Sequence, residues 1–203
     1  MRLARHLSLA GRRGLTLIEL MVALTIFTVL SYSLMSALSL SNNSRAAVEN
    51  MATENEELRS GVGALSDDLR LTSESRVAIT LLPDENHQVE LQLPIVVAGN
   101  LGWGVPGSDL SAPGAPDKQD WLVRYTVEVD PGGAQGPQRT LVRQVVDDTG
   151  KIVEGLVLVH DLTKGTSASP GFHIEKTGEV WEVTLSTDKG AGKSEVFHVY
   201  SRN

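Results

Sequence analysis

The chain of 203 residues has no cysteine. That excludes disulfide staples, thiolate metal sites and a cysteine nucleophile. It leaves the compartment open, since a chain without thiols needs no particular redox environment. Proline is absent before Pro83, so no ring interrupts a helix upstream of it. Basic residues are the minority, 18 against 25 acids, and the formal net charge is -7. No basic face is evident, which argues against a nucleic-acid partner. The imbalance is uneven. Residues 1–14 carry Arg2, Arg5, Arg12 and Arg13 with no acid, leaving -11 for residues 15–203. A basic head on an acidic body suggests a targeting segment.

Catalytic chemistry is also missing. There is no phosphate-cradling glycine loop and no nucleophile motif. His6, His87, His160, His173 and His198 are scattered, and His160 beside Asp161 reads as surface placement, since strand neighbours point to opposite faces. Asp109, Asp117 and Asp120 offer hard oxygens suited to calcium, but their spacing fits no EF-hand loop. The reading is of no catalytic residues, no metal and no cofactor.

Charge is absent from Leu20 to Ser44, 25 residues dominated by Leu, Ile, Val, Met, Phe and Ala. A helix of that length rises about 37 Å, enough to cross a hydrocarbon core of about 30 Å. The arginines precede it, so the positive-inside rule keeps residues 1–14 cytoplasmic and places the C-terminal body outside. A small domain has little room to bury so long an apolar rod, which disfavours a core helix. A secretory signal ending at Ala37-Leu38-Ser39 has small residues where a signal peptidase wants them, yet its apolar region is too long and contains Glu19. Glu19 is the odd residue, since a carboxylate at bilayer depth costs about 2.5–3.5 kcal/mol on insertion scales.

Residues 12–30 read Arg-Arg-Gly-Leu-Thr-Leu-Ile-Glu-Leu-Met-Val-Ala-Leu-Thr-Ile-Phe-Thr-Val-Leu. This resembles the class III signal of type IV pilins and type II secretion pseudopilins. The resemblance implies a prepilin peptidase that cuts between Gly14 and Leu15 and methylates Leu15. It places the family's glutamate on Glu19, where it would neutralise the Leu15 amine of a neighbouring subunit. Leu15 departs from the usual phenylalanine. It further implies a non-enzymatic filament subunit, with other minor pilins or pseudopilins and the inner membrane as partners. The alternative is a membrane-tethered extracytoplasmic binding domain that does not polymerise.

Past the span, Val48, Met51, Leu58, Val62, Leu65 and Leu69 form one helical stripe. It is expected to pack on the chain's own sheet. Glu49, Glu54, Glu56, Glu57, Arg59, Asp67 and Asp68 are read as the solvated face. Gly61 and Gly63 mark close packing or a bend. One helix is therefore expected from Leu15 to about Leu71, without the proline many major pilins carry. Thr25, Thr28, Ser31, Ser33, Ser36 and Ser39 suit close helix bundling.

The remainder reads as strands at Val77–Leu82, Gln88–Leu93, Trp121–Val129, Thr140–Val146, Ile152–Val159, Val180–Ser186 and Glu195–Ser201. Turns are expected at 83–86, 147–150 and 188–190, with a long loop over 99–120. The fold class is α+β: a long N-terminal helix, transmembrane then amphipathic, packed on an antiparallel β-sheet body, as in the pilin fold. The expected division is 1–14 leader, 15–44 transmembrane half, 45–72 amphipathic half and 73–203 body. The segment at 121–129, Thr140-Leu-Val-Arg143 and Leu65-Ser-Asp-Asp-Leu-Arg70 resemble J-type minor pseudopilins and W-type minor pilins.

Overall fold

Thr16 opens a single helix, α1, that runs unbroken over Leu17–Leu71 in the computed structural model, which describes residues 16–131, 137–164, 171–188 and 193–200. The chain forms two compact units that divide between Glu49 and Asn50. In the first unit the helix is apolar and exposed on every side. Thr25, Thr28 and Ser33 turn their hydroxyls back onto the carbonyls of Met21, Leu24 and Val29, at 2.5, 2.5 and 2.9 Å. Those three hydroxyls are satisfied within the helix and need no partner in lipid.

In the second unit, α1 and eleven antiparallel strands build one core among the described residues. The strands are β1 (Val77–Leu81), β2 (His87–Leu91), β3 (Leu93–Val97), β4 (Asn100–Val105), β5 (Lys118–Gln119), β6 (Leu122–Asp130), β7 (Gln138–Val146), β8 (Ile152–Val159), β9 (Phe172–Thr177), β10 (Val180–Thr187) and β11 (Lys193–Tyr200). They form three sheets, ordered β1-β2-β6-β7-β8, β11-β10-β9 and β3-β4-β5. Alternation in β6 aims Val123, Tyr125 and Val127 inward to join Leu58, Leu65 and Leu69 of α1. This is the expected α+β arrangement of a long helix on antiparallel sheets.

Several expectations change. The apolar stripe packs on the body only from Leu58 onward; Val48 and Met51 are exposed. The supposedly solvated acids divide. Glu57 accepts from the backbone N–H of His160 at 3.2 Å, Glu54 accepts from the Thr187 hydroxyl, and Asp68 is buried. Gly61 is a close-packing position, since a Cβ there would lie 2.7 Å from Val159 Cγ2, whereas Gly63 faces open space.

The stretch read as a loop over 99–120 contains β4 and β5. Two of its glycines, Gly104 and Gly107, lie against neighbouring backbone: a Cβ on Gly104 would sit 2.0 Å from the Lys118 carbonyl oxygen. The strand read over 88–93 is two, since β2 ends at Leu91 and β3 begins at Leu93, and β9 is an unforeseen strand. In the turn before β2, Asn86 is buried and its carboxamide oxygen accepts from the Phe172 N–H at 2.7 Å, tying that turn to β9. The 147–150 turn is as expected, with Asp147 accepting from the Thr149 and Lys151 amides, both at 2.9 Å. Positions 189–190 of the third expected turn, and Ser201, lie outside the described residues.

Candidate functional site

The first turn of α1 is a capping box. Glu19 N–H donates to Thr16 Oγ1 at 3.3 Å, and Thr16 N–H donates back to Glu19 Oε2 at 3.1 Å. The Thr16 hydroxyl also donates to Glu19 Oε2, at 3.1 Å. Three otherwise orphaned polar groups at the helix start are thereby satisfied, and the carboxylate sits at the positive end of the helix dipole. Glu19 therefore has a use within its own chain. A tethered domain that never polymerises would gain the same capping contacts from it. Gly14 and Leu15 lie outside the described residues.

A second polar constellation lies under the helix in the body. Asp68 projects from the last turns of α1 toward Tyr125 and Arg143, which face each other directly across β6 and β7. The Tyr125 hydroxyl donates to Asp68 Oδ2 at 2.6 Å, and Arg143 Nε donates to the same oxygen at 3.0 Å. The other arm of Arg143 donates to Asp109 Oδ2 at 2.9 Å. Tyr125 is fully buried, so its hydroxyl needs this partner.

Burial pushes the Asp68 carboxyl above its ordinary 3.8, against the pull of the Arg143 cation and its hydrogen bonds with Tyr125 and Arg143. Burial and the Asp68 charge raise Tyr125 as well. Burial works against the Arg143 cation, but Asp68 and Tyr125 outweigh it and hold the guanidinium charged. Sequence reasoning missed this cluster. The available signal was spacing: Asp68 stands three residues after Leu65 and seven after Gly61, on the buried stripe.

Residues 9–31 match the family described as the prokaryotic N-terminal methylation motif. The match runs through Thr16 and Glu19 into a helix long and apolar enough to cross a membrane. Over that segment the chain carries the N-terminal signal of type IV pilin-like proteins. No curated protein and no solved structure matches it. The motif implies processing by a prepilin peptidase and assembly with pilins in general, and the apolar helix behind it fits a single-pass inner-membrane anchor.

Two of the other candidates, Asp109 and Asp117, have structural partners. Asp109 is held by Arg143. Asp117 accepts from the Val96 and Gly107 amides at 3.1 and 2.8 Å, which draw its carboxyl below the ordinary range. Asp120 adopts a left-handed backbone, with φ of 64°. Among the described residues no group of three or more metal-ligating side chains is gathered. His160 is exposed, whereas His87 packs against His173. His6 lies outside the described residues.

Proposed function

We propose that this chain is a minor pilin or pseudopilin, a non-enzymatic filament subunit of a type IV pilus or type II secretion pseudopilus. Residues 1–14 lie in the cytoplasm as the leader, 15–44 cross the inner membrane, 45–72 continue the helix, and 73–203 form a body outside the cytoplasm. A prepilin peptidase cuts between Gly14 and Leu15 and methylates Leu15. The subunit then joins other minor subunits in a tip or assembly-priming complex. The observation that carries this reading is the motif match at 9–31, which overlaps a helix that carries no charge from Leu20 to Ser44.

The body supports a minor rather than a shaft subunit. Each of the three segments that resemble J-type pseudopilins and W-type minor pilins supplies one member of the buried cluster: Asp68, Tyr125 and Arg143. Three short likenesses far apart in sequence are more persuasive when their polar residues meet. The capping box favours a second reading, a tethered binding domain that keeps Glu19 to close its own helix.

Co-expression with a prepilin peptidase tests the main proposal. Mass spectrometry should find a chain shortened by its leader and carrying a methylated Leu15. Gly14→Phe should abolish the shortening, because the peptidase must approach a backbone with no side chain. A mature start near Leu40 would indicate ordinary signal cleavage and overturn the proposal.

A further inference from the structure

Two histidines meet where the five-stranded sheet abuts the β11-β10-β9 sheet. His87 opens β2 and His173 lies on β9, and their ring centroids are 4.1 Å apart with planes tilted by 45°. Nδ1 of His87 lies 2.8 Å from the Ile174 carbonyl oxygen and 3.1 Å from the Ile174 nitrogen. The shorter contact is a hydrogen bond when Nδ1 carries the proton. That tautomer leaves Nε2 as the site that takes up a second proton. One residue earlier, Asn86 holds the Phe172 N–H. Two consecutive side chains before and at the start of β2 therefore grip the backbone of β9.

The charged groups around this seam are few. On β9, Glu175 lies near His173, at 3.9 Å, and is mostly exposed. The β1 partner of His87 is Leu81, and the β10 partner of His173 is Thr184. Farther along the three-stranded sheet, Glu182 faces both Glu175 and His198. In the preceding turn, Asp84 accepts from the Asn86 carboxamide at 2.8 Å, and Glu85 follows it. No carboxylate in hydrogen-bond contact with His87 is found among the described residues, so a second positive ring is poorly compensated.

We propose that the His87–His173 stack is an acid-sensitive latch between the two sheets. With both rings neutral it closes the seam at β9; with both protonated, like charges at stacking distance open it. Burial, and then the neighbouring His173, hold His87 below its ordinary 6.5. A folded-state value below the unfolded one means that the unfolded chain binds more protons. The contribution to stability is therefore complete above 6.5 and is lost as pH falls through the lowered value.

The full-length chain in detergent micelles gives the test, by amide hydrogen exchange at Phe172 and Ile174 with imidazole NMR titration of His87. Protection of both amides, corrected for intrinsic exchange, should fall at least tenfold between about pH 7.5 and pH 5. In His173→Gln that fall should shrink several-fold, and the His87 titration should move toward higher pH. Unchanged protection in the natural sequence across this range overturns the proposal, whatever the variant does. So does an equal fall in His173→Gln, or a His87 titration that the substitution leaves in place.

Discussion

Arg143 joins two carboxylates from different parts of the chain, Asp68 on α1 and Asp109 in the segment between β4 and β5. With about one-seventh of its side chain exposed, this guanidinium is poorly served by water, and its partners must satisfy it. Tyr125 completes the arrangement by donating to the oxygen of Asp68 that Arg143 also reaches. Tyr125→Phe should therefore cost about 1.5–3 kcal/mol, the range for a hydrogen bond to a charged group. Asp68→Asn should cost a similar amount, because Arg143 loses one counter-charge and keeps Asp109. The double variant should cost clearly less than the sum, since both substitutions break the same bond. Urea unfolding of the three variants measures this directly; strict additivity would mean that the two residues do not act together.

At the scale of elements, α1 contains its own control experiment. Gly61 and Gly63 share a helix and a low propensity, but only Gly61 is pressed against β8. Gly61→Ala should destabilise by about 1–3 kcal/mol through overpacking against Val159. Gly63→Ala meets nothing and should stabilise by about 0.5–1 kcal/mol. Thermal melts of the two variants should shift in opposite directions; a gain in both would mean that β8 yields freely. Glycine also explains what was legible in the sequence. Ile152–Val159 was read with the bounds of β8 because Glu154-Gly155 is too short to hide its apolar run, and β6 was read to within one residue because its alternating side chains meet no breaker. β4 was missed because Gly102 and Gly104 resemble loop residues, while in the structure both lie in the strand and Gly104 lets the backbone of β5 approach. Asp68 was misread because, next to Asp67, it looked like part of a charged rim; its partners lie 57 and 75 positions away, a separation local patterning does not register.

At the scale of the whole molecule, the question is what Glu19 does in a chain whose first fourteen residues carry all the local positive charge. Two roles compete. Within one chain it closes the Thr16 capping box, a device worth about 0.5–2 kcal/mol. Between chains, under the filament proposal, it neutralises the Leu15 amine of a neighbour, and leaving such a buried charge unpaired costs about 3–5 kcal/mol. Glu19→Ala removes both roles and so cannot separate them. Glu19→Gln can, because glutamine also serves at the third position of a capping box but carries no charge. If pairing dominates, Glu19→Gln should be cleaved normally after Gly14 yet fail to recover the other minor subunits in a pulldown, as Glu19→Ala does. Thr16→Val, which removes the capping hydroxyl and leaves the charge, should then still assemble, with at most a modest loss. The opposite pattern, assembly by Glu19→Gln and failure by Thr16→Val, would assign the carboxylate to its own helix. The chain would then be a tethered domain, or a subunit held in the filament by its body alone.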